Sequence, residues 1–134
     1  MKIYVGCALN YSGEEFRQKI EELKNILRKD HEVFDFVGLT KGTPKDVYNW
    51  DIENCVKNCD VFVAICDYPS IGLGYELACA LEKFQKPTLA LAHEDLKVTR
   101  LVLGIEKPNY EFRRYKNIDE VPDLVETFVK TVFK

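Results

Sequence analysis

Two acidic residues stand on or beside the apolar stripe of an expected helix. Leu73, Leu77, Ala80, Leu81 and Phe84 recur at helical spacing, and Glu76 borders that stripe one turn inside the helix. Tyr48, Ile52, Cys55 and Cys59 form a second stripe at i, i+4, i+7 and i+11, with Asp51 inside it. A carboxylate on a core-facing stripe costs desolvation unless it has a partner or a chemical task. Singly, each has an ordinary reading: Glu76 as a first-turn acid favoured by the helix dipole, Asp51 as a structural acid held by backbone amides. As a pair around one cleft they suit cleavage through an oxocarbenium-like transition state. One carboxylate attacks or stabilises an anomeric carbon while a second group handles protons. Repulsion and burial would push the two pKa values apart and divide those roles. Tyr4, in the first apolar run, could orient a carboxylate with its phenol or simply fill the core.

The stretch Asp67-Tyr68-Pro69-Ser70-Ile71-Gly72-Leu73-Gly74-Tyr75-Glu76 joins the most apolar run to the helix that carries Glu76. Gly72 and Gly74 permit close backbone approach to a ligand, and the helix start offers unpaired amides and a positive dipole to an anion. No Gly-Lys-Ser/Thr follows, so this is not a Walker loop. Two glycines alone also suit tight packing.

The elements that must position these residues alternate along the chain. Strands are expected over 2–8, 32–37, 60–66, 87–92 and, more weakly, 110–115. A first helix opens on the capping box Ser12-Gly13-Glu14-Glu15 and runs to about Asp30. A second starts at Thr43-Pro44 and lasts to about Asn58, a third spans about 72–84, a short one lies near 98–104, and Pro122 opens the last. Such alternation predicts one α/β domain over 1–134, with a flavodoxin-like or Rossmann-like, doubly wound, five-stranded parallel sheet and helices on both faces. Ligands of such sheets sit outside the carboxyl ends of the strands, here the segments 7–12, 38–42, 67–76 and 92–99.

Composition narrows the classes further. With 134 residues, 46% of them hydrophobic and 12% aromatic, the chain can bury a substantial core. A formal net charge of -3 argues against a nucleic-acid-coating partner role, and no apolar run approaches the roughly 20 residues that cross a bilayer. Met1-Lys2-Ile3-Tyr4-Val5 enters directly into a strand pattern without a signal-peptide layout, pointing to a cytoplasmic location. Cys7, Cys55, Cys59, Cys66 and Cys79 are read as buried thiols, with neither disulfide nor metal role. No cofactor is expected; the loop after the first strand lacks the Ser/Thr-rich cradle a flavin phosphate would need. His93-Glu94-Asp95 is expected as a solvated loop and Arg113-Arg114-Tyr115-Lys116 as a solvated edge.

Ile3-Tyr4-Val5, Asp51, Asp60-Val-Phe-Val-Ala64 and Pro69-Ser70-Ile-Gly-Leu-Gly-Tyr-Glu76-Leu77, in that order, resemble the nucleoside 2-deoxyribosyltransferase-like superfamily. The nearest branch is the 2'-deoxynucleoside 5'-phosphate N-hydrolases. The resemblance implies that Glu76 is a nucleophile forming a 2-deoxyribosyl ester, that Asp51 positions the sugar or serves as acid-base partner, and that Tyr4 orients Glu76. Ser70, where the transferases tend to carry an acid, would bind a 5'-phosphate. Thr99, in Val98-Thr99-Arg100-Leu101, would reach a neighbouring subunit's phosphate site, implying a homodimer or higher homo-oligomer. The N-hydrolases usually have a Ser-Ile-Arg-Gly-Gly-like turn after the first strand. Here Cys7-Ala8-Leu9-Asn10-Tyr11-Ser12-Gly13 lacks the arginine, leaving Asn10, Ser12 or the helix-start amides as substitutes. The expected activity is cleavage of the N-glycosidic bond of a 2'-deoxynucleoside 5'-monophosphate. The alternatives are transfer of deoxyribose between bases and a non-catalytic nucleotide-binding or sensory module.

Overall fold

Five strands, β1 (Lys2–Cys7), β2 (Glu32–Phe34), β3 (Val61–Ile65), β4 (Thr88–His93) and β5 (Tyr110–Tyr115), lie parallel in the order β2-β1-β3-β4-β5. This computed structural model describes residues 1–38 and 41–133. The helices are α1 (Glu14–Leu27), α2 (Pro44–Trp50), α3 (Ile71–Ala78), α4 (Arg100–Leu103) and α5 (Val121–Val132). α2 runs on into a π-helical stretch, Asp51–Val56, and α3 into another, Cys79–Lys83. Among the described residues no helix is long and apolar enough to cross a membrane.

Strand alternation divides the core in two. Ile3 and Val5 of β1 face α1 and α5, packing with Ile20, Leu23, Val125 and Phe128. Tyr4, Phe62, Ala64 and Ala90 face the other way, toward Ile52 and Cys55 after α2 and Leu73 and Leu77 of α3. The sheet is therefore covered on both faces, as its continuous apolar strands require. Strand order reverses between β1 and β3, which places the ligand crevice of a doubly wound sheet there.

Small residues set how close α3 comes to that crevice. Gly6 pairs with Ala64, and Ala64 with Ala90, so a shallow track runs across the sheet beneath α3. A Cβ on Gly6 would lie 3.0 Å from Leu73 Cδ1 and 3.0 Å from Phe62 Cε1. Glycine is needed at position 6 for this approach, and the approach brings Glu76 down onto β1.

Several boundaries differ from the sequence expectation, each for a local reason. α1 is capped by Gly13 at φ 80 with no side-chain cap; Ser12 Oγ donates instead to the Leu9 carbonyl at 3.4 Å, so the predicted Ser12–Glu15 capping box does not form. α1 also ends at Leu27, short of Asp30. β2 stops at Phe34 rather than Val37 because side chains from the second helix take the backbone groups beyond it. Trp50 Nε1 donates to the Asp35 carbonyl at 2.6 Å, and the Val37 N–H donates to Asp51 Oδ1 at 3.0 Å. Tyr48 leaves the apolar stripe and is 40% exposed, while Ile52, Cys55 and Cys59 stay buried. Thr43 does cap α2, in a reciprocal box with Asp46. Cys7, Cys55, Cys59 and Cys79 are buried and Cys66 is partly buried, in line with the thiol reading. Arg114 is not merely solvated: its guanidinium donates to the carbonyls of His93 and Leu96 at 3.0 and 2.6 Å.

Candidate active site

A cleft of about 690 Å³ opens at the carboxyl ends of β1 and β3, walled by 7–11, α2 and the start of α3. Asp51 and Glu76 both line it. The structure thus brings together the two acids singled out by their positions on apolar stripes. Residues 39 and 40 of the segment 38–42 lie outside the described residues.

Tyr4 lies beneath Glu76. Its ring is fully buried, stacked on Phe62 at a centroid distance of 5.6 Å, and its hydroxyl donates to Glu76 Oε2 at 2.5 Å. Burial pushes the Glu76 carboxyl up to about 8; the Tyr4 hydrogen bond acts against that shift and the charge of Asp51 adds to it. The Tyr4 phenol is itself pushed well up by burial and by the Glu76 and Asp51 charges, so it remains a donor at any physiological pH. Asp51 sits where α2 passes into its π-helical stretch, a feature common at functional positions. Burial raises its carboxyl, while the Val37 N–H and the Lys24 charge pull it down.

Ser70 caps α3: its Oγ accepts from the Leu73 N–H at 3.1 Å, which leaves its hydroxyl proton free to donate into the cleft. Asn10 and Gly72 also line the cleft. Gly74 and Thr99 do not. Gly74 faces open space on α3, and Thr99 is exposed at the N-cap of α4. A second cleft of about 730 Å³ lies near the ends of β3, β4 and β5. There buried Asp67 accepts from the Tyr115 hydroxyl and, at 3.1 Å, from the His93 N–H, and His93 packs edge-on against Tyr115. The segment around His93 is therefore tied to Asp67 rather than loosely solvated.

No protein-family model matches the chain. A protein of Thermofilum pendens named "Putative 2'-deoxynucleoside 5'-phosphate N-hydrolase 1" is 30% identical over 138 residues, spanning 96% of this chain and 95% of that one. The chain belongs to the 2'-deoxynucleoside 5'-phosphate N-hydrolase family. A second member of that N-hydrolase family, from Syntrophotalea carbinolica and bearing the same name, is 30% identical over 142 residues, covering 98% and 96% of the two chains. The solved structure of Clostridium botulinum CMP N-glycosidase, BcmB, has the same fold, with a TM-score of 0.69 at 21% identity over 94% of this chain and 99% of that one.

Three features in and around this N-hydrolase-family cleft are not legible in the sequence. Gly6 looks like any strand glycine until its neighbours are known. Tyr75 and Tyr48 meet at the cleft wall with ring centroids 6.5 Å apart. The Tyr48 hydroxyl donates to Glu53 Oε1 at 2.8 Å, and Lys83 Nζ lies 3.2 Å from the same oxygen, fixing the Tyr48 ring. Lys24 is fully buried in α1, although its charge alone argues for a solvent-facing position. Its place between Leu23 and Leu27 on the apolar face was the available signal.

Proposed function

We propose that the chain cleaves the N-glycosidic bond of 2'-deoxynucleoside 5'-monophosphates, releasing free base and deoxyribose 5-phosphate, with Glu76 as nucleophile. The observation that carries this reading is the shared cleft: Glu76 and Asp51 line one wall system, with the Tyr4 hydroxyl on Glu76. The names of the relatives from Thermofilum pendens and Syntrophotalea carbinolica support the substrate class.

In the ionised form, a Glu76 oxygen attacks C1' of the sugar. The C1'–N bond breaks, its electron pair stays on the base nitrogen, and the base takes a proton from water in the open cleft, while the Asp51 carboxylate positions the sugar. A second water then attacks C1' of the glycosyl ester and gives a proton to the Asp51 carboxylate, which passes it to the hydroxide left by the first, and the departing oxygen restores the Glu76 carboxylate. The Tyr4 phenol favours the carboxylate at both ends of this cycle. Ser70 and the amides at the start of α3 hold the 5'-phosphate, with Asn10 at the opposite wall. The Tyr48 and Tyr75 rings give the base an apolar surface. Thr99, exposed at the N-cap of α4, completes a phosphate site in a second copy of the chain, which makes the working unit a homodimer or higher homo-oligomer.

The test is chromatographic detection of free base from a panel of deoxynucleosides and their 5'-monophosphates. Base release from the monophosphates, lost in Glu76→Gln, supports the reading. A new nucleoside formed on adding a second base would replace hydrolysis by transfer. Nucleotides that raise the melting temperature without any base release would replace catalysis by binding.

A further inference from the structure

Lys24 is 0% exposed, and a buried ammonium needs partners. It has three. Nζ lies 3.1 Å from Glu21 Oε1, 3.6 Å from Asp35 Oδ1 and 3.9 Å from the centroid of the Phe36 ring. Two of these partners lie in the short segment that leaves β2, where strand pairing has already ended at Phe34. That segment gives Asp51 its backbone donor, the Val37 N–H at 3.0 Å, and its Asp35 carbonyl receives Trp50 Nε1 at 2.6 Å.

We infer that Lys24 is a positioning residue for the cleft: through Asp35 and Phe36 its ammonium fixes the segment after β2, and that segment presents the Val37 N–H to Asp51. The inference rests on the reading of Asp51 and Glu76 as the reacting pair. Beyond the sheet ladder this backbone is held by side-chain contacts: the cation–π and ion-pair contacts of Lys24, the Arg28–Asp35 pair and the Trp50 bond to the Asp35 carbonyl. A second effect follows from the same placement. The charged and titratable groups around the ammonium are Glu21, Arg17 and Arg28 of the first helix region, Asp35 after β2, Cys7 of β1, and Asp51 and Glu76 at the cleft. Arg28 shares Asp35 with it at 2.5 Å. The ammonium favours the ionised form of both cleft carboxyls, against their burial and, at Glu76, against the charge of Asp51.

The experiment is made on the whole protein without substrate. Hydrogen exchange at the Val37 amide and carbon-13 titration of the Asp51 and Glu76 carboxyls are recorded for the wild type and for Lys24→Met, Lys24→Gln and Lys24→Arg. Exchange at Val37 should accelerate about 10-fold or more in the two neutral variants, and both carboxyl titrations should move to higher pH by about half a unit or more. Lys24→Arg should restore both. Asp35→Asn alters an exposed partner and so keeps the test open if the neutral variants do not fold; it should also accelerate Val37 exchange. Unchanged Val37 exchange in Asp35→Asn, or a folded neutral variant that only melts earlier with both titrations in place, overturns the inference. Base release is measured alongside. Its absence in the wild type would remove the catalytic reading and leave these exchange and titration results to decide the role of Lys24.

Discussion

The Tyr4 hydroxyl on β1 donates to the Glu76 carboxyl on α3 at 2.5 Å, joining residues 72 positions apart in the chain. Neither element makes this contact unaided. β1 turns Tyr4 toward α3 by strand alternation, and Gly6, Ala64 and Ala90 leave no bulk to hold the helix away. The result is a carboxyl pushed up by burial and held toward its ionised form by one buried donor.

Replacing Tyr4 by phenylalanine keeps the ring against Phe62 and removes only that donor. Since the hydrogen bond lowers the Glu76 pKa, its loss moves ionisation of Glu76 to higher pH. Below the ionisation, kcat/KM should fall about 10-fold for each unit of that movement. The pH profile of kcat/KM checks it: the acid limb, near 8 in the wild type, shifts upward.

Asp51→Asn should move the same limb the other way. The Asp51 charge raises the Glu76 pKa, so its neutralisation lets Glu76 ionise at lower pH. At the same time loss of the proton-handling group should reduce kcat by about 100-fold to 10,000-fold. A downward limb shift combined with a lower plateau separates an acid-base role from simple disruption of the fold.

Glu76→Gln should gain stability while losing activity. The folded carboxyl at about 8 lies above the ordinary 4.5, so the folded chain holds this proton more tightly than the unfolded one. That contribution is complete below about 4.5 and is lost as pH rises through about 8. Above pH 8 the glutamine variant should therefore be more stable, by on the order of 5 kcal/mol at most, with the difference vanishing toward pH 4. Thermal melts of both proteins across that range measure it.

Gly6→Ala tests the track beneath α3. The added methyl meets Leu73 Cδ1 and Phe62 Cε1 at 3.0 Å, so the helix must lift or the core must repack. A cost of about 1–3 kcal/mol in denaturant unfolding is expected. Activity should fall further than stability does, because Glu76 moves off Tyr4 with the helix.

The alternating strands and helices, the cleft between β1 and β3, and the pair Asp51–Glu76 were legible in the residues because each rests on periodicity. An acid that interrupts an apolar stripe can be found by counting. Periodicity does not encode the rest. β2 ends early because Asp51 and Trp50 take its backbone groups, a tertiary competition that no local window contains. Ser12 and Glu15 have the spacing of a capping box, but the positive φ at Gly13 makes the glycine the cap. The π-helical turn beginning at Asp51 breaks the i, i+4 count, which turns Tyr48 out to the cleft wall. Lys24 is not legible as a core residue, because a lysine is rarely buried and only its three partners make it tolerable.

The most direct measurement is mass spectrometry of the protein quenched during turnover of a 2'-deoxynucleoside 5'-monophosphate. A deoxyribosyl-phosphate ester on the peptide containing Glu76, absent in Glu76→Gln along with base release, is the predicted result. Base release that continues undiminished in Glu76→Gln would contradict the account.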